Sequence, residues 1–186
     1  MQELSLNILD IAENSVKAGA SLITVAVCYR PAADRLTVTI TDDGCGMDAE
    51  TVRRGTDPFY TTRTTRKVGL GLPLLKLEAE QTGGTLTVTS RTAAQCPENH
   101  GTTVRATFHT DHIDCMPLGD VTATLVTLIQ GHPQEELAFS HRTDAGTVTL
   151  DTRQLREVLG DVPLDTYEVL KWIEGYLREQ YQSINQ

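Results

Sequence analysis

With 186 residues, 39% of them hydrophobic, the chain can fill one full core, or one core with a small appendage. Its formal charge of −9 and pI near 4.9 argue against a broad nucleic-acid surface or an anionic-membrane patch, both of which need clustered Lys and Arg. No stretch approaches the roughly 20 apolar residues of a membrane span, and no basic export signal opens the chain. The cysteines, Cys28, Cys45, Cys96 and Cys115, form no CxxC pair, so ordinary thiols in a cytoplasmic protein are expected.

Leu4, Ile8, Ile11, Ala12 and Val16 recur at helical spacing and predict a helix over 4–18, stopped by Gly19. Residues 22–29 are rich in β-branched side chains and read as a strand, followed by a turn around 31–35. Over 36–42, Leu36, Val38 and Ile40 alternate with threonines, the mark of a strand with one buried face. A short helix over 48–54 takes Asp48 as its cap. Residues 55–68 are polar, threonine-rich and without periodicity, a predicted loop. A helix over 72–82 has Pro73 in its first turn and Gly83-Gly84 beyond its end. Strands over 85–91 and 102–109 follow, joined by a loop over 92–100. The composition changes near 111–117. Beyond it the pattern predicts a helix over 118–130, strands over 137–141 and 147–150, and two helices. Those two open with capping-box patterns at Asp151…Gln154 and Asp165…Glu168. The order is α-β-β-α-β-β with a smaller α-β-β-α-α tail.

Three segments carry chemistry. Asp10, Asn14 and Lys17 stand at i, i+4 and i+7, one row on the first helix opposite much of the apolar stripe. Alone, such a row equally describes a solvated face. Asp42-Asp43-Gly44-Cys45-Gly46-Met47 ends a strand with D-x-G-x-G, and Asp42 extends the buried series of Leu36, Val38 and Ile40. A carboxylate there is costly to bury unless it is hydrogen-bonded, and an adenine amino group is one suitable donor. The glycines allow close approach to a flat ring, although the motif by itself arises by chance in roughly one chain in twenty of this length. Val68-Gly69-Leu70-Gly71-Leu72 opens the next helix, where free N–H groups and the positive dipole end suit phosphate. In His100-Gly101-Thr102-Thr103-Val104, Thr102 is placed to donate its hydroxyl to Asp42 or to a neighbouring water; the alternative is an exposed strand threonine. The five histidines, His100, His109, His112, His132 and His141, read as surface or structural residues.

These residues, in this order, resemble the GHKL superfamily of gyrase B subunits, the large heat-shock chaperone, MutL-type repair proteins and histidine kinases. Asp10 to Ser21 resembles the N box in its MutL-like wording, and Asp42 to Met47 the G1 box. Asp57-Pro58-Phe59-Tyr60-Thr61-Thr62-Arg63 resembles the histidine-kinase F box, Gly69 to Leu72 the G2 box, and Gly101 to Val104 the final strand. The resemblance covers roughly 4–110. It implies an α+β Bergerat fold, a two-layer α/β sandwich, with 1–110 as the ATP-binding domain. Residues 111–186 carry no glycine-rich phosphate loop and no metal-ligand cluster, and are expected to form a C-terminal extension that packs on that domain or docks a partner. It also implies ATP and Mg²⁺ as cofactors. Asn14 would coordinate Mg²⁺; Asp42 would read the adenine amino group; Gly44, Gly46 and Met47 would line the adenine pocket. Gly69, Leu70, Gly71 and Leu72 would cradle phosphates, and 55–68 would form the lid.

Two departures matter. Lys67 stands where the longer G-x-G-L-G-L version has a glycine. Asp10 stands four residues before Asn14, where hydrolysing members use glutamate, one methylene longer; it is the expected base if ATP is hydrolysed. The few residues of this chain ahead of the N box hold no helical hairpin with a phospho-accepting histidine, so a self-contained histidine kinase is not expected. The expected function is therefore a regulatory or kinase-like module acting on a separate protein, the alternatives being a slow ATPase that drives a conformational change or a non-catalytic ATP-binding scaffold. A protein partner is expected, with a second copy of the chain as one option, and no nucleic acid or membrane. No second catalytic site is expected in 111–186. Its last helix carries an apolar stripe of Val169, Trp172, Ile173, Tyr176 and Leu177, which either covers the tail's own hairpin or meets another protein.

Overall fold

The computed structural model describes residues 3–57 and 71–185. The apolar stripe of the first helix, α1 (Leu4–Lys17), is buried through Leu4, Ile8, Ile11 and Ala12. A hairpin of β1 (Leu22–Arg30) and β2 (Arg35–Asp42) follows, turned by Pro31–Ala33. In α2 (Ala49–Gly55), Asp48 caps the helix by accepting the Thr51 N–H at 2.7 Å. Then come α3 (Gly71–Gln81), β3 (Thr85–Arg91) and β4 (Gly101–Phe108).

The remaining elements are α4 (Val121–Gly131), β5 (Glu136–Thr143), β6 (Gly146–Asp151), α5 (Thr152–Leu159) and α6 (Tyr167–Ile184). The starts of two tail helices differ from expectation. The chain turns at Gly119, and Asp120 caps α4 through the Ala123 N–H at 2.9 Å, so the helix starts three residues later than the apolar run suggests. Asp151 caps α5, but Thr166, not Asp165, occupies the cap position of α6, and no side-chain cap bond forms there.

The sheet has six strands in the order β3-β4-β2-β1-β5-β6. Every neighbouring pair is antiparallel except β1 and β5, which run parallel from Leu22↔Glu136 to Cys28↔Arg142. The hairpin of the tail therefore continues the sheet of the first unit, which gives it the packing partner an isolated hairpin needs. Helices α3, α1, α4 and α6 cover one face in turn, and the cluster of buried side chains runs unbroken from Leu4 and Val25 through Leu125 and Phe139 to Ile173 and Leu177. The opposite face shows threonines in cross-strand rows, such as Thr89, Thr103, Thr41 and Thr24. Among the described residues no helix is long and apolar enough to cross a membrane.

The segment joining the two parts is tied at both ends. Asp34, in the left-handed region at φ 45°, accepts from Thr110 Oγ1 at 2.9 Å and from the Asp111 N–H at 2.8 Å. The first N–H groups of α1, which lack partners within the helix, are taken up by the tail: Leu4 donates to Pro117 O at 3.0 Å and Ser5 to Leu118 O at 2.8 Å.

Candidate functional site

Along α1, Asp10 and Lys17 are exposed and Asn14 is half-buried, while Ser15 points inward. The N-terminal end of α3 meets this row: a methyl group on Gly71 would lie 3.2 Å from Asp10 Cβ. Leu72, beside it, packs half-buried against the core and anchors that end of the helix. Gly69 and Leu70 lie outside the described residues, as do 58–68, which include Lys67 and all of the F-box-like segment except Asp57.

At the end of β2, Asp42 is half-buried and accepts from three donors, on α1, the following turn and β4. Its Oδ1 accepts the Gly44 N–H at 2.9 Å and the Thr102 N–H at 3.2 Å; its Oδ2 accepts the Ser15 hydroxyl at 2.6 Å. A carboxylate offers about four lone-pair positions, so one on Oδ2 remains for an outside donor. Asp43 points away, its carboxylate taking the Ser21 N–H at 2.7 Å, the Leu22 N–H at 2.9 Å and the Ser21 hydroxyl. Burial pushes the Asp43 pKa up, but these bonds outweigh it and hold the group below the ordinary aspartate value.

The turn after Asp42 is shaped by close packing. A Cβ on Gly44 would stand 2.9 Å from Ala18 Cβ, and one on Gly46, at φ +72°, only 1.9 Å from Arg91 O. The Cys45 N–H donates to Ala18 O at 2.9 Å, which ties the turn to the residue after Lys17. The Met47 N–H donates to Ser90 Oγ at 2.7 Å.

Thr102 reaches Asp42, but through its backbone. Its hydroxyl pairs with Ser90 Oγ at 2.8 Å, because Ser90, Thr102 and Asp42 stand in one cross-strand row and the serine is the nearer hydroxyl partner. The structure thus brings together Asp42, Gly44, Gly46, Met47 and Thr102, and separately Asp10 with Gly71.

Three residues absent from the sequence-predicted set belong to this cluster. Ser15 carried a signal: a hydroxyl on the buried stripe of an amphipathic helix needs a partner. Ser90 and His100, whose Nδ1 meets Gly44 O, carried none, since their contacts span 43 and 56 residues. On the flank of α1, Glu13 is held by His132 of the tail at 2.8 Å. Among the described residues no group of three or more His, Cys, Asp or Glu is arranged to hold a metal.

Residues 1–112 match the family described as "Histidine kinase-, DNA gyrase B-, and HSP90-like ATPase". Among curated relatives, the heme sensor protein HssS of Staphylococcus saprophyticus is 36% identical over 100 residues, covering 53% of this chain and 20% of that protein. The sensor protein kinase FleS of Pseudomonas aeruginosa is 37% identical over 58 residues, covering 31% and 14%. The chain spans at most about a fifth of the length of these relatives. Among solved structures, the N-terminal domain of a DNA repair protein superposes with a TM-score of 0.56 at 17% identity, covering 81% of this chain and 52% of that one. The Aquifex aeolicus MutL ATPase domain complexed with ADP superposes with a TM-score of 0.51 at 14% identity, covering 75% and 60%. At these identities the structural likeness concerns the fold.

Proposed function

The chain belongs to the histidine kinase-, DNA gyrase B- and HSP90-like ATPase family, and from that premise we propose that it binds ATP with Mg²⁺ and acts as a regulatory or kinase-like module on a separate protein. The observation that carries the nucleotide reading is Asp42. A carboxylate fixed by Ser15, Gly44 and Thr102 on one side of a glycine-lined turn keeps an acceptor position for an adenine amino group. Such a charge-assisted bond contributes on the order of 1.5–3 kcal/mol.

In this reading the base lies against Gly44, Gly46 and Met47, and the phosphates lie toward Gly69–Leu72 and the start of α3. Lys17 supports phosphate charge. The half-buried Asn14 presents a hard amide oxygen, a donor that suits Mg²⁺, which prefers few protein ligands and shares its shell with phosphates and water. When bound, the ion neutralises phosphate charge. Binding measured by calorimetry with and without Mg²⁺ tests the assignment: affinity for ATP should drop on chelation, and equal affinity removes Asn14 from the metal role.

A second reading, slow hydrolysis, is favoured by Asp10. It is an exposed carboxylate one turn from Asn14 and beside Gly71 at the start of α3. Asp10→Asn should abolish turnover and leave binding nearly intact; hydrolysis that persists points to another base. Incubation with radiolabelled ATP, alone and with cell extract, separates the two readings. Label on a second protein supports transfer, released phosphate supports hydrolysis, and neither leaves a binding scaffold.

A further inference from the structure

The loop between β3 and β4 is more than a connection. Its two ends bond to Gly44, Cys45 and Met47 of the turn that follows Asp42, and to Asp42 itself. At one end, Ser90 Oγ accepts the Met47 N–H at 2.7 Å, and the Ala93 N–H donates to Cys45 O at 3.0 Å. At the other end, three consecutive residues run along the same segment. His100 Nδ1 meets Gly44 O; Gly101 passes so close that a Cβ there would lie 1.9 Å from Asp42 O; and the Thr102 N–H reaches Asp42 Oδ1 at 3.2 Å. His100 is the one residue of this group that contributes through a ring.

We infer that His100 is a positioning residue for the bound base, acting through the Gly44 carbonyl to hold the Gly44–Met47 turn in its receiving conformation. A carbonyl only accepts, so Nδ1 must carry the hydrogen. Both peptide planes at Gly44 are then held: the Asp43–Gly44 plane by its N–H to Asp42 Oδ1, and the Gly44–Cys45 plane by His100 at its C=O and by the Cys45 N–H to Ala18 O at 2.9 Å. Gly44 is buried against Ala18, so a rotation of the Gly44–Cys45 plane would leave the carbonyl without its donor and break the Cys45 bond to Ala18 O that holds the turn. The inference rests on the nucleotide reading proposed above.

Two near-isosteric substitutions test it. In Asn the amide nitrogen can occupy the place of Nδ1 and still donate; in Asp an oxygen occupies that place and faces the carbonyl with no hydrogen. With folding checked by circular dichroism and Mg²⁺-ATP affinity measured by calorimetry, His100→Asn should bind within about twofold of the parent. His100→Asp should bind roughly 3- to 10-fold more weakly, the range of one hydrogen bond. If His100→Asp does not fold, His100→Ala takes its place in the comparison. A merely structural histidine would show equal losses in all variants. Equal affinity of the donor and non-donor variants, with the parent binding ATP, overturns the role of His100. A parent that does not bind ATP overturns the nucleotide reading itself.

Discussion

Asp42 shows how much a single side chain depends on its neighbours. Asp42→Asn keeps the shape and leaves one oxygen for the Gly44 and Thr102 N–H groups, while the Ser15 hydroxyl can turn to accept from the new amide. The fold should therefore survive, and ATP should bind roughly 10- to 150-fold more weakly, equivalent to about 1.5–3 kcal/mol. Preference for ATP over GTP should fall with it, because guanine presents a carbonyl where adenine presents the amino group; competition binding with both nucleotides measures this. At the other end of the sheet, His141 is buried with Nδ1 3.0 Å from Tyr181 Oη and Nε2 without a partner among the described residues. Burial holds its pKa below the ordinary 6.5, and burial also pushes the Tyr181 hydroxyl up to about 12, with Asp120 adding to the shift. The unfolded chain then takes up a proton at His141 before the folded chain does. This contribution to stability is complete above about pH 6.5 and declines as pH falls through that value toward the lower folded pKa. Thermal melts at pH 7.5 and 5.5 should show the decline, and His141→Gln should flatten it.

Among the elements, α6 separates the two readings of its stripe. Val169, Ile173 and Leu177 are buried against β6 and α4, whereas Trp172 is 53% exposed and stacks on Tyr176 at 5.0 Å between ring centroids. The stripe therefore covers the tail and also leaves an aromatic pair outside. Ile173→Ala should cost about 2–5 kcal/mol. Trp172→Ala should cost only about 0.5–1.5 kcal/mol, the worth of an aromatic pair, so urea denaturation should rank the two clearly. A second device on the same helix guards the sheet. Gln180 donates to Thr149 O and accepts the Thr149 N–H, both at 2.9 Å, and so stands in for a missing strand on the outer edge of β6.

In the whole molecule, residues 111–186 do more than sit beside the first unit. They pair β5 along β1, supply the acceptors for the first N–H groups of α1, and extend the same buried cluster. Removing them would expose the β1 edge and the apolar side chains under α4, and would uncap the helix that carries Asp10, Asn14 and Lys17. A chain cut after residue 115 should therefore be aggregated or largely unfolded by circular dichroism under conditions where the full chain is folded. A stable, folded 1–115 would show that the first unit tolerates a bare edge.

The local pattern of the chain was enough to specify its elements and to point to part of the candidate site. Period-2 alternation marked β2, β3 and β4 and the buried face of each, and helical spacing put Asp10, Asn14 and Lys17 in one row and Ile8, Ile11 and Ala12 in another. The ordered glycine motifs identified the turn after Asp42 and the start of α3. What local pattern does not contain is the identity of a partner far along the chain. The apolar face of β5 would look the same whether it paired with β1 or with nothing, and a serine or histidine in a strand or loop gives no sign of which carbonyl or carboxylate it will meet. Ser15 reaching Asp42, His100 reaching Gly44, Ser90 intercepting the Thr102 hydroxyl and His132 holding Glu13 were settled only when strand order and register brought together groups up to 119 residues apart. Alternation determines which way a side chain faces; only the closed sheet and its packed helices determine what lies there to be bonded.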